Sequence, residues 1–169
     1  MLARMRYFTR GWINGEYSEE DHDASWAAYA ARLDEISGQL PAAMIQLAKE
    51  SLHDAVIDCV TWDPAAQRLT LVLAVERATG HVTMTLTYAG ALLGESRVEV
   101  LRAVARDRQT EILYSEVDRD SGGLLAHRLL FWPRDELTID FASLTLEVTE
   151  RADLRVFLSP SFIEVDEAK

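Results

Sequence analysis

Hydrophobic positions recur along this chain with two different periods. Over the first third the spacing is helical. Trp26, Tyr29, Leu33, Ile36 and Leu40 return every three or four residues, which is one face of an α-helix. Ser18 stands ahead of Glu19-Glu20-Asp21, an N-cap followed by acids that suit the positive end of a helix dipole. Gly38 is a natural terminator, and Pro41 suits the first turn of a second helix. That helix turns Met44, Leu47 and Ala48 inward and runs to about Ser51.

From Leu52 the period falls to two. Residues 53–62 read as a strand ended by Asp63-Pro64. Leu69, Leu71, Leu73 and Val75 then alternate with Thr70, Val72, Ala74 and Glu76. Val82, Met84, Leu86 and Tyr88 alternate with His81, Thr83, Thr85 and Thr87. Ala78-Thr79-Gly80 lies between these runs, so they form an antiparallel hairpin with one apolar and one threonine-lined face. Residues 96–106 fit either a helix or a strand; Val98, Leu101, Val104 and Ala105 have helical spacing, which favours a short helix. Strands over 110–118 and 124–132 follow, joined by Asp120-Ser121-Gly122-Gly123. After the turn at Pro133, the apolar set Leu137, Ile139, Phe141 passes to Leu144, Leu146, Val148. The switch from odd to even positions requires a bulge or a corner at Ala142-Ser143.

These elements predict one α+β domain over residues 1–169. An N-terminal arm and helical pair (1–51) packs on an antiparallel sheet or sandwich of about six or seven strands with one short helix (52–158). A polar tail (159–169) follows, frayed from Glu164. Trp12, Trp26, Trp62 and Trp132 are expected as contacts between helices and sheet.

Composition narrows the function classes. The chain has 169 residues, 17 Lys+Arg and 28 Asp+Glu, for a net charge of −11. The charge is uneven: residues 16–36 carry −6 and residues 111–169 carry −7, while residues 61–110 are nearly neutral. A polyanion would be repelled, and no dense Lys/Arg cluster offsets this, so nucleic acid is excluded as a partner. No apolar run approaches the roughly 20 residues of a membrane span. No apolar h-region follows the basic N-terminal residues, so no secretory signal is read. The single cysteine, Cys59, sits in the apolar run Val56–Val60 and reads as a small buried hydrophobe. A cytoplasmic protein is the expectation.

Three short motifs carry a resemblance. The opening Met5-Arg6-Tyr7-Phe8-Thr9-Arg10, the segment Leu52-His53-Asp54-Ala55, and Ala126-His127-Arg128-Leu129-Leu130-Phe131 with Glu136-Leu137-Thr138-Ile139-Asp140-Phe141 resemble an uncharacterised bacterial family, domain of unknown function 4085. The resemblance spans most of residues 5–150 and implies a bacterial helix-plus-β protein, with no activity or catalytic residue to carry over.

The residues themselves propose little chemistry. His22, His53, His81 and His127 form no metal-ligand spacing, and no cofactor motif occurs, so no cofactor is expected. His22 is expected to be solvated and His81 to open a strand on its polar face. His53-Asp54 is a dipeptide that can ligate metal in hydrolases. The plainer reading has Asp54 closing the helix-to-strand turn and His53 bonding nearby backbone. His127 is expected to pair across strands with Glu116 or Asp118, as a general base or as a sheet-face ion pair. Glu16, Glu19, Glu20, Asp21 and Asp23 form an acidic run that is either a solvated helix start or a docking face. The favoured expectation is therefore a non-enzymatic module, immunity- or antitoxin-like, for a basic or neutral protein partner. The alternative is a metal-dependent hydrolase using His53 and Asp54 with His127 and Glu116. A third is a self-associating module that pairs through an edge strand.

Overall fold

A computed structural model describes residues 5–152 and 161–165. Helix α1, Arg10–Ile13, is too short to show a period in the sequence. Helix α2, Glu19–Ile36, begins at the expected cap: Ser18 Oγ accepts from the Asp21 N–H, and the Asp21 carboxylate accepts from the Ser18 N–H at 3.0 Å. A 3₁₀ turn over Ser37–Gln39 leads into α3, Ala42–Lys49, whose Met44 and Leu47 are buried.

Among the described residues eight strands follow: β1 (Ala55–Asp63), β2 (Arg68–Arg77), β3 (Gly80–Ala89), β4 (Glu111–Arg119), β5 (Leu125–Trp132), β6 (Glu136–Phe141), β7 (Ser143–Arg151) and β8 (Ser161–Glu164). Helix α4, Glu95–Arg106, separates β3 from β4 and confirms the helical spacing there. The strands make one open sheet in the order β6-β5-β4-β1-β2-β3-β7, and β8 lies beside β1. The fold is thus α+β, as the patterns predict. All pairs are antiparallel except β1–β8, which is parallel. The parallel strand corrects the expected tail: residues 161–164 pair with β1 instead of trailing away. The expected fraying concerns residues 164–169, of which 166–169 lie outside the described residues.

The sheet is bent over on itself. β3 and β5 are four steps apart in the sheet order, about 19 Å if the sheet were flat. Yet Tyr88 Oη on β3 lies 2.7 Å from His127 Nδ1 on β5. The limb β4-β5-β6 therefore faces the limb β1-β2-β3-β7 across a common core. Leu69, Leu71, Leu73, Met84 and Leu86 fill one side of it, and Leu129, Phe131, Ile139 and Phe141 the other. Helix α4 adds Val98, Leu101 and Val104 to the same core.

The corner that closes this bend lies at Ala142, as the odd-to-even switch requires. β6 pairs with β5, and one residue later β7 pairs with β3. Gly90 makes the approach possible. Its φ is +64°, and a Cβ there would sit 2.9 Å from the Ala142 Cβ.

A smaller core lies on the outer face of β4 and β5, where Met5, Phe8 and Trp12 of the N-terminal arm meet Tyr29 of α2 and Leu130. The tryptophans divide. Trp12 and Trp62 are buried contacts as expected, whereas Trp26 is 48% and Trp132 51% exposed. Trp26 shares the helical period but touches the small core only at its edge, through Phe8, Trp12 and Tyr114. Trp132 is the last residue of β5.

Candidate functional site

An irregularity in β4 organises the outer face. The register shifts between Ile112 and Tyr114, so that Ile112 opposes Phe131 while Tyr114 opposes Leu130. Phe131 and Leu130 point to opposite faces, so the bulge at Leu113 turns Tyr114 away from the main core. Glu116 and Asp118 follow Tyr114 onto the face that meets the arm and α2.

Those two carboxylates hold the arm. Glu116 is fully buried, and its carboxylate accepts from the backbone N–H groups of Arg6 (3.0 Å), Tyr7 (2.7 Å) and Phe8 (2.9 Å). Asp118 accepts from Arg6 at 2.6 Å, from Arg32 of α2 at 3.0 Å and from Arg128 of β5 at 3.1 Å. Burial alone would raise the Asp118 pKa. The Arg119 N–H, Arg32 and Arg128 outweigh it and hold the carboxyl below its ordinary value. Farther along the arm, Arg10 donates to the Phe131 carbonyl at 2.6 Å and to the Asp135 carbonyl at 2.9 Å. The Tyr29 hydroxyl accepts from the Val117 N–H at 2.8 Å, which ties α2 to β4. Burial first, and then the Glu116 charge, push the Tyr29 phenol up to about 12. These groups are committed to one another and anchor the layer.

Beside them a cleft of about 360 Å³ opens between α2, the end of α3 and β4. Its aromatic walls are Phe8, Trp26, Tyr29, His53 and Tyr114. Trp26 rests on Phe8 with ring centroids 4.4 Å apart and meets Tyr114 at 6.0 Å and 67°. His53 stands edge-on to Tyr114 at 5.6 Å and 83°. Glu50 reaches the lining, and Asp54 adjoins it through a 2.9 Å contact with His53 Nδ1. Among the described residues, no lysine or arginine lines this cleft. Burial first, and then the nearby Asp54 charge, raise the Tyr114 phenol above its ordinary value.

The family model described as Protein of unknown function (DUF4085) matches residues 4–141. The chain belongs to the DUF4085 family. No curated protein and no solved structure matches it. The matched span takes in the arm, its carboxylate clasp and the cleft, and stops at the corner before β7. In this DUF4085 protein the opening Met5–Arg10 motif is the docking strip of the arm. Its side chains and backbone address Glu116, Asp118 and the end of β5.

The structure separates the four residues of the hydrolase expectation. Val117, not Glu116, lies opposite His127, so Glu116 faces Arg128 on the outer surface while His127 points into the main core. The expected cross-strand pair therefore does not form, because strand alternation sends the two to opposite faces. His127 is fully buried against Tyr88, and burial followed by the Arg128 charge drops its pKa to about 3. It is a neutral group of the main core. His53 is exposed on the cleft rim and contacts Asp54 rather than backbone. Asp54 does close the turn: its φ is +63°, and its N–H donates to the Ile112 carbonyl at 2.9 Å. Among the described residues, no group of three or more His, Cys, Asp and Glu could hold a metal.

The remaining candidates lie around α2. Glu16, Glu19, Glu20, Asp21 and Asp23 are all exposed. Asp21 is engaged in the helix cap, and its bonds to Ser18 hold its carboxyl below the ordinary value. His22 is not solvated as expected: its ring packs on Trp12 at a centroid distance of 4.5 Å. Cys59 is half-buried in β1. Among the described residues no helix is long and apolar enough to cross a membrane. The cleft itself was missed by the sequence patterns. Its signal is Tyr114, an aromatic residue where the strand period asks for a core aliphatic.

Proposed function

We propose that this protein is a non-catalytic binding module for a basic polypeptide, docked along the exposed face of α2 and the aromatic cleft beside it. One observation carries the reading. The carboxylates of Glu19, Glu20 and Asp23 project from the helix that also presents the half-exposed Trp26. A helix dipole accounts for acids in the first turn. It does not account for an exposed tryptophan one turn after Asp23, over a cleft that no lysine or arginine lines among the described residues. Aromatic anchors beside a like-charged rim are the make-up of a surface that steers and then seats a partner of opposite charge. A bacterial cytoplasmic setting and neutralisation of a basic toxin, in the manner of an immunity protein or antitoxin, belong to this proposal.

The test is reconstitution. A partner captured by cross-linking in the native host is purified and titrated against the protein by calorimetry at low and high salt. The expected partner is basic, and its affinity falls with salt and with the Glu19→Lys, Glu20→Lys, Asp23→Lys triple variant. A partner that binds equally well to that variant and at high salt overturns the proposal, as does failure of every captured basic protein to bind once purified.

A further inference from the structure

We infer that the cleft between α2 and β4 is a pocket for a single lysine side chain, the anchor of the basic polypeptide proposed above, on which this inference rests. The walls are aromatic, and aromatic faces attract a cation through their quadrupole. The cleft's volume of about 360 Å³ suits one long side chain rather than a folded element. The charges agree: the Glu50 carboxylate lines the cleft, where it already holds Arg77 at 2.6 Å, and Asp54 adjoins the lining through His53. Asp54 is left as the outward carboxylate, 62% exposed and steadied by His53.

Ring geometry selects ammonium over guanidinium. Tyr114 meets Trp26 at 67° and His53 at 83°, so these rings form a corner; Phe8 and Tyr114 are closer to parallel, at 30°, but pack on each other at 5.1 Å with Phe8 buried and leave no slot between them. A planar guanidinium stacks best in a slot, whereas a compact ammonium fits a corner. The alkyl stem of lysine would lie along the more open Trp26 and Tyr114 rings, and the ammonium would turn toward Asp54 beside His53.

The experiment is a titration of the full chain followed at the Trp26 indole N–H by NMR. The probes are the Nα-acetyl, N-methylamide derivatives of lysine, arginine and norleucine. The lysine probe is expected to shift the Trp26 signal saturably and to bind about two- to fivefold tighter than uncharged norleucine. Trp26→Ala, at a half-exposed position, removes this reporter and is titrated by calorimetry beside the wild type; it is expected to abolish binding. Asp54→Asn weakens the lysine probe and leaves norleucine unchanged, and asparagine tolerates the positive φ at this position. Norleucine binding as well as lysine, arginine binding as well as lysine, or no saturable shift each overturn the inference. The two readings fail separately. If a purified basic partner binds Trp26→Ala at full strength but not the α2 charge variant, the pocket is refuted and the docking face stands. If the lysine probe binds and no basic polypeptide does, the reverse holds.

Discussion

Replacing Glu116 by glutamine tests whether a buried charge holds the arm to the sheet. The substitution keeps the shape and removes the charge. It also turns one acceptor oxygen into an N–H₂ group facing the backbone N–H of Arg6, which now donates to both oxygens at 3.1 and 3.0 Å. Hydrogen bonds to a charged acceptor contribute about 1.5–3 kcal/mol each, roughly twice the neutral value. Three N–H groups bind this carboxylate, those of Arg6, Tyr7 and Phe8. Neutralisation therefore weakens arm docking by about 2–4 kcal/mol. The arm is a terminal segment and can open locally, so global stability falls by less than this. Amide hydrogen exchange separates the two. In Glu116→Gln the amides of residues 6–8 are expected to exchange about 30- to 1000-fold faster, while those of β2 and β3 change little. Protection of residues 6–8 equal to wild type would refute the clasp, and so would fast exchange of these amides in the wild type.

Two further substitutions address the main core. His127 stays neutral in the fold because burial, then Arg128, lowers its pKa from 6.5 to about 3. The unfolded chain therefore takes up a proton that the folded one refuses. Stability from this group is intact above about pH 6.5 and declines by about 1.4 kcal/mol per unit as pH falls toward 3. In urea titrations between pH 6 and 4, wild type should lose stability faster than His127→Phe by about that slope; parallel curves would contradict the assignment. Gly90→Ala should lower stability by about 1–3 kcal/mol, through its positive φ and the contact with Ala142. Thermal unfolding reads this, and an unchanged midpoint would mean that the corner between β6 and β7 is looser than described.

The hairpin β2–β3, helix α4 and the corner at Ala142 were legible because each rests on a local period or on its interruption. A strand with Leu69, Leu71 and Leu73 on one side has one way to bury them, and the neighbouring threonines mark the other side. The parallel strand β8 escaped because four residues show no period and its partner β1 lies about a hundred residues away in the chain. The candidate site escaped for a related reason. A bulge leaves no periodic mark, and the register it sets decides which residue of β4 lies opposite His127: Val117, with Glu116 opposite Arg128. The arm was visible as a motif, but its purpose depends on carboxylates that lie more than a hundred residues away. The acidic run at α2 was plain in the sequence. The half-exposed Trp26 beside it required the structure, since periodicity alone assigns that residue to the core.

The central claim is that α2 and the adjoining cleft seat a basic polypeptide. Its most direct test is a calorimetric titration of the purified partner against wild type, the α2 charge-reversal variant and Trp26→Ala at two salt concentrations. The account predicts tight binding by wild type that weakens with salt, loss on charge reversal and a marked loss in Trp26→Ala. Equal affinity across all three proteins would contradict it.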